Sequence, residues 1–182
     1  MRTLRPPLCV ATAAVAVATC VPVAHAGGTN VQQLSSVEVA SLEADLMTTL
    51  NGFRAAHGLR QFRSSAKLHA AALRHSGEMA QNGYFDHASP NGAAFWRRIR
   101  LYYPARGYQA WSVGENLEYG QPTLGSVGVL RDWLASPAHR ANVVSTGWRD
   151  AGVGAVSVTS GLGVFGGLPT TIVTLDLGYR RR

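Results

Sequence analysis

Ala151-Gly152-Val153-Gly154-Ala155-Val156-Ser157-Val158 and, beyond a Gly-rich connection from Gly161 to Gly167, Thr170-Thr171-Ile172-Val173-Thr174-Leu175-Asp176-Leu177 are the stretches on which the fold class turns. Val153, Ala155 (or Val156) and Val158 mark the first as a strand, and the second is rich in β-branched residues. With a flexible loop between them, they read most simply as an antiparallel hairpin.

Upstream of the hairpin the periodicity is helical. Val39, Leu42, Leu46, Leu50 and Phe53 recur at three- and four-residue steps in a run that starts near Val37, and Gly58 ends it as a C-cap would. A second helix is expected from about Ala66 to Asn82, with Ser64 or Ser65 as N-cap, Leu68, Ala72 and Met79 inward, and Gly83 closing it. Asp86-His87-Ala88-Ser89-Pro90-Asn91-Gly92 is a polar turn, because Ser-Pro and Asn-Gly both favour reversal of the chain. A short helix follows from Ala93 to about Leu101 and stops before Pro104. Gln109 to Gly120 has no clean period and reads as a strand or loop entering a turn. Thr123 is a cap for a further helix through Leu134, with Val127, Leu130, Trp133 and Leu134 inward. Ser136 and Pro137 then suit the N-cap and first position of another short helix. Helices fill the first half and strands the end, without internal repeats, so the expected class is α+β rather than alternating α/β.

The chain of 182 residues is 46% hydrophobic and carries 17 Lys+Arg against 10 Asp+Glu, which excludes a disordered tail, a collagen-like fibre and a polytopic membrane protein. Met1 to Ala26 has the order of a secretory signal: Arg2 and Arg5, an apolar run from Leu8 to Ala18, then Ala24-His25-Ala26 as a small-x-small cleavage site. Thr12, Thr19 and Pro22 interrupt the apolar stretch, so a spanning helix is the weaker reading. Thr19 before Cys20, where a smaller residue is usual, disfavours a lipoprotein signal. Cleavage after Ala26 would remove Arg2 and Arg5 together with both cysteines, Cys9 and Cys20, and lower the net charge from +7 to +5. The expected layout is a signal peptide at 1–26, a flexible leader at 27–36 and one domain at 37–182. An exported domain of this size without disulfides relies on its core, which buries about 70% of the unfolded surface.

Sixteen of the 17 basic residues are Arg, clustered at Arg97, Arg98 and Arg100 and again at Arg180 to Arg182. Outside a cell such charge favours peripheral contact with an anionic surface over nucleic acid, and its plainest reading is a solvated face. Aromatics interleave the basic residues only at Phe95-Trp96-Arg97-Arg98, too little for a nucleic-acid site.

His57, His69 and His75 lie within or beside the helical runs without metal-ligand spacing and read as structural. His87 and His139 differ, because each sits at a turn or helix start beside Ser-Pro, where an imidazole can face a cleft. As the third residue of a helix, His139 would feel the positive helix end, which disfavours imidazolium. Glu115, between Gly114 and Asn116, is a further cleft candidate, and Glu118 would share its face if that segment were helical. No His-Glu-x-x-His, Gly-x-Ser-x-Gly, Walker or dinucleotide motif occurs.

Taken in order, Tyr84-Phe85-Asp86-His87-Ala88-Ser89-Pro90, Gly114-Glu115-Asn116-Leu117, Trp133 to Asn142 (Trp-Leu-Ala-Ser-Pro-Ala-His-Arg-Ala-Asn) and Gly152-Val153-Gly154 resemble the motifs of the CAP superfamily, the cysteine-rich secretory and pathogenesis-related proteins with an SCP domain, in its bacterial form. The resemblance spans about Leu46 to Tyr179. It implies a three-layer α-β-α sandwich with a small antiparallel sheet and a central cleft, lined in the family by two histidines and two glutamates that hold a divalent metal, usually zinc, in some members. Carried over position by position, His87, Glu115 and His139 take three places, and the second glutamate falls on Ser136. Two neutral imidazoles and one carboxylate would fill three positions of a tetrahedral zinc, with Glu118 a candidate for the missing acid.

Two functions follow as expectations. The favoured one is a secreted binding module for a small apolar ligand, lipid or sterol-like, or for a cell-envelope component, with His87, Glu115, His139, Ser136 and Glu118 around the cleft. The alternative is a zinc-assisted peptidase or esterase in which His87, Glu115 and His139 hold the metal and Glu118 or Glu115 acts as base. Ser136 or Ser89 as a nucleophile, served by His139 or His87, lacks a visible orienting acid and oxyanion hole. Oligomeric state stays open.

Overall fold

The computed structural model describes residues 36–182; the signal segment 1–26 with its cleavage site, both cysteines and the leader as far as Ser35 lie outside the described residues. The helices are α1 (Ser36–Ala56), α2 (Ala66–Asn82), α3 (Phe95–Tyr102), α4 (Ser126–Ala135) and α5 (Pro137–Val144), and the strands are β1 (Arg63–Ser64), β2 (Ala110–Gly120), β3 (Asp150–Val158) and β4 (Thr170–Arg181). The four strands form one sheet in the order β1-β3-β4-β2.

The hairpin read from the sequence is present: β3 and β4 pair antiparallel with Val158 opposite Thr170 and Asp150 opposite Gly178. β2 pairs antiparallel with the other edge of β4, placing Glu115 opposite Asp176. The sheet is antiparallel as expected through its three long strands, and β1 adds a two-residue parallel pairing to β3. β1 lies where the chain passes from α1 to α2, and the connection from it to β3 runs through α2, α3, β2, α4 and α5.

Alternation of side chains along each strand separates two packing layers. Ala151, Val153 and Ala155 of β3 and Val173, Leu175 and Leu177 of β4 meet Leu46 and Leu50 of α1 and Val129, Leu130 and Trp133 of α4 in the larger core. On the other face α2 and α3 cover the sheet, through Leu68, Ala71, Ile99 and Tyr103 at one end and Met79, Leu117, Phe165 and Ile172 at the other. The molecule is therefore the expected α-β-α sandwich, with α1, α4 and α5 as one layer and α2 and α3 as the other.

α2 begins and ends where its sequence signals lie. Ser65 accepts the Leu68 N–H at 3.4 Å, and Gly83 closes the helix at φ 66°. Its backbone lies directly on β3: a Cβ at Gly152 would strike the backbone of Leu68 and His69, and one at Gly154 the backbone of Ala72 and Leu73. The Gly152-Val153-Gly154 motif is thus a groove for a helix.

α1 ends at a Schellman turn, with Leu59 N–H bonded to Arg54 C=O and Gly58 at φ 66°. It begins at Ser36, one residue inside the expected leader. α4 departs from its expectation. Gly125 rather than Thr123 precedes it, and steps of about 100° per residue put Val129, Leu130 and Trp133 in one arc while Val127 is 73% exposed. Trp133 is fully buried and donates its indole N–H to Leu117 C=O at 3.0 Å, joining α4 to β2.

Candidate functional site: a histidine cleft over a buried carboxyl pair

Glu115 is buried on the α2–α3 face of β2, and three elements converge on it. His87, in the turn after α2, donates Nδ1–H to Glu115 Oε1 at 2.7 Å, and its ring is 48% exposed. Donation from Nδ1 to the carboxylate leaves Nε2 on the solvent side. Arg98 of α3 is buried and bonds Glu115 Oε2 through Nη2. Arg98 also donates Nη1 to Ser89 Oγ at 3.3 Å, so it ties the turn to the strand.

His75 lies beneath, on α2, fully buried and 4.0 Å from Glu115 Oε1. It donates Nε2–H to Asp86 C=O at 2.9 Å, which fixes the turn that carries His87. Asp86 itself accepts the Ala88 N–H at 2.7 Å. Burial pushes the His75 imidazole toward the neutral form, the Glu115 charge opposes this and the Arg98 charge assists it.

Asp176 faces Glu115 from β4 and is completely buried. As a carboxylate it has no donor for either oxygen among the described residues. Burial first, then the Glu115 charge, raises its pKa well above the usual carboxylate range, with Arg98 opposing. As the neutral acid, Asp176 becomes a donor with Glu115 beside it as acceptor.

His139 is the third residue of α5, as expected, with Ser136 and Pro137 ahead of it. Its pKa is lowered, by burial first and then by the charge of His87, which places the two imidazoles within electrostatic reach of each other. Its C=O accepts Asn116 Nδ2 at 3.0 Å, and Asn142 Nδ2 bonds Asn116 Oδ1 at 2.8 Å and Glu115 C=O at 3.2 Å. The Gly-Glu-Asn sequence therefore works on both sides of the sheet. Glu115 points to the α2–α3 face, Asn116 anchors α5, and Gly114 leaves room for Asn142 and the Trp148 ring.

The structure brings His87, Glu115 and His139 to one region but not Glu118 or Ser136. Residues 114–120 are a strand, so two residues three apart point to opposite faces, and Glu118 stands on the α4 side. There it accepts the Tyr119 N–H, and burial raises its pKa. Ser136 sits at the α4–α5 junction and makes no side-chain cap bond. The second acid beside Glu115 is Asp176.

Neither Arg98 nor Asp176 is among the site residues that the sequence singles out. Arg98 reads as part of a solvated basic cluster, yet Phe95, Arg98, Ile99 and Tyr102 share one helical stripe, which is the available signal for it. His75 continues the inward series Leu68, Ala72, Met79. The structural reading of His69 and His57 agrees with their bonds, from His69 Nδ1 to Val153 C=O at 2.6 Å and from His57 Nδ1 to Phe53 C=O at 2.8 Å.

A divalent metal does not fit this donor set as it stands. Both Glu115 oxygens are engaged, one by a guanidinium whose charge opposes a second cation, and the remaining acid, Asp176, is completely buried with its pKa raised by burial and by the Glu115 charge. Among the described residues no group of three or more His, Cys, Asp and Glu side chains has metal-holding geometry.

A sandwich of this order with histidines over an acidic sheet position defines an SCP-type domain. The sequence model described as CAP, cysteine-rich secretory protein family, matches residues 47–175, and the chain belongs to that family. It is 28% identical over 133 residues to the uncharacterized protein YkwD of Bacillus subtilis (strain 168), covering 73% of this chain and 49% of that protein. The chain thus spans about half the length of that curated relative. Among solved structures, an extracellular protein containing a SCP domain from Bacillus anthracis matches at TM-score 0.57 and 24% identity, over 82% of this chain and 44% of that one. An outer surface protein from Borrelia burgdorferi matches at TM-score 0.65 and 19% identity, over 82% of this chain and 98% of the other. Those neighbours are described as extracellular or outer-surface proteins, and among the described residues no helix is long and apolar enough to cross a membrane.

Proposed function

We propose that the protein is a secreted, non-catalytic module that binds an amphipathic, lipid-like ligand of the cell envelope. Met1–Ala26 acts as its secretory signal. The polar end of the ligand meets Nε2 of His87 and the His139 ring, and its apolar part lies toward the loop between β3 and β4.

The observation that carries this reading is the apolar surface beside the histidines. Glu115, Leu117 and Tyr119 follow each other on one face of β2, so Tyr119 lies roughly 13 Å from Glu115 at about 3.3 Å per residue. Tyr119 stacks edge-on between Phe85 and Phe165, at 4.9 and 5.3 Å between centroids. The loop that carries Phe165 is bonded to the end of α2, Val164 N–H to Gly83 C=O, and exposes Leu162, Val164 and Leu168. Polar and apolar surfaces thus lie within the length of one small amphipathic molecule. The zinc-assisted hydrolase has less support, because the carboxylate it requires is held by His87 and Arg98.

Titration with a fluorescent long-chain fatty acid tests the reading. Leu162→Asp with Val164→Asp, and separately His87→Ala, should each weaken binding about tenfold. Equal affinity in the parent and both variants, or no binding by the parent, would overturn it.

A further inference from the structure

The far end of the sheet gathers arginines that are distant in sequence. Arg60 and Arg63 come from the α1–α2 connection, Arg149 from the start of β3, and Arg180 and Arg181 from the end of β4, and with Tyr179 they line a cleft of about 240 Å³. Register builds this convergence: Arg63 pairs with Asp150, and Arg149 N–H bonds Gly178 C=O. The cleft lies several residues along β4 from Asp176, beyond the histidine site.

Its charge is largely uncompensated. Arg63 pairs with Asp150 at 2.8 Å, whereas no carboxylate pairs with Arg60, Arg149, Arg180 or Arg181 among the described residues. Neutral groups hold two of these instead. Arg149 donates Nη1 to the carbonyls of Thr146 and Trp148, and Arg180 lies over the Tyr103 and Tyr108 rings at 3.6 and 4.5 Å. Such contacts orient a guanidinium without cancelling its charge.

We propose that this cleft binds a phosphodiester-linked polyol chain. Guanidinium forks match phosphate oxygens in pairs, and every cation here is Arg. Five guanidinium groups against one carboxylate exceed what a single phosphate can balance, which calls for several anionic groups in a row. A bilayer is the poorer partner, because the cleft is concave and Tyr179 is its one apolar wall. Nucleic acid is poorer as well, because Tyr103 and Tyr108 lie under Arg180 instead of presenting faces to bases. This surface does not depend on the histidine cleft or its ligand.

The test uses the purified chain at physiological salt with soluble poly(glycerol phosphate), single-stranded DNA and phosphatidylglycerol vesicles as separate probes. Arg60 and Arg181 are exposed, so Arg60→Gln with Arg181→Gln leaves the fold intact and should weaken poly(glycerol phosphate) binding about tenfold or more. Arg97→Gln with Arg100→Gln removes the same charge from the solvent side of α3 and should leave binding within about twofold. His87→Ala should also retain it, which separates this surface from the lipid-like site. Equal loss in both arginine pairs, no binding by the parent, or tighter binding to DNA or vesicles overturns the proposal.

Discussion

Glu115 and Asp176 stand opposite each other on adjacent antiparallel strands, both buried, and Arg98 bonds only the first. One guanidinium beside two buried carboxyls favours a division in which Asp176, its pKa raised by burial and by the Glu115 charge, is the one that holds a proton more tightly. That division makes the site a rigid mount for His87, and its consequences can be measured.

The raised Asp176 pKa makes stability depend on pH. The native chain keeps a proton that the unfolded chain releases above about pH 4, so stability falls as pH rises from there until native Asp176 also ionises. Asp176→Asn should be more stable than the parent at pH 7, with the advantage shrinking toward pH 4 by up to about 1.4 kcal/mol per pH unit. Urea unfolding at several pH values checks this, and a difference constant with pH would count against it.

Arg98→Gln leaves Glu115 buried without its cation. A loss of about 3–5 kcal/mol is expected, partly restored when Glu115→Gln is added. A double variant less stable than Arg98→Gln alone would show that the pair is not the origin of the loss.

Two glycine substitutions should act in opposite directions. Gly154→Ala drives a methyl into the α2 backbone and should cost about 2–4 kcal/mol. Gly128 lies within α4 with open space around it, so Gly128→Ala should stabilise by about 0.5–1 kcal/mol. Thermal melts of both variants distinguish the helix groove from a general preference for glycine.

Burial first, and then the His87 charge, lower the His139 pKa. Proton NMR titration should show the His139 pKa rising when His87 is replaced by Ala. An unmoved titration would mean that burial alone sets it and that the two rings do not share a cleft.

Much of the fold was legible because its signals are local. Ser65 and Gly83 bracket α2, Gly58 closes α1, and β-branched residues mark β4, each through backbone geometry set by a few neighbouring residues. The cue for α4 is ambiguous: Thr123 suits a cap, but the helix begins after Gly125, and the arc that packs on the core is the one through Val129, Leu130 and Trp133, which leaves Val127 outside it.

By itself, the sequence determined the helices, the hairpin and the histidines at chain turns, all of which follow from short-range sterics and periodicity. Only the tertiary structure decided which charged groups meet. Asp176 reaches Glu115, Arg98 turns inward to neutralise it, Glu118 is sent to the opposite face, and arginines from three segments share one cleft. These outcomes depend on the register of β2 against β4 and on how α2 and α3 settle onto the sheet: a local stripe or alternation can say that Arg98 turns inward or that Glu118 leaves the Glu115 face, but not which group each one meets.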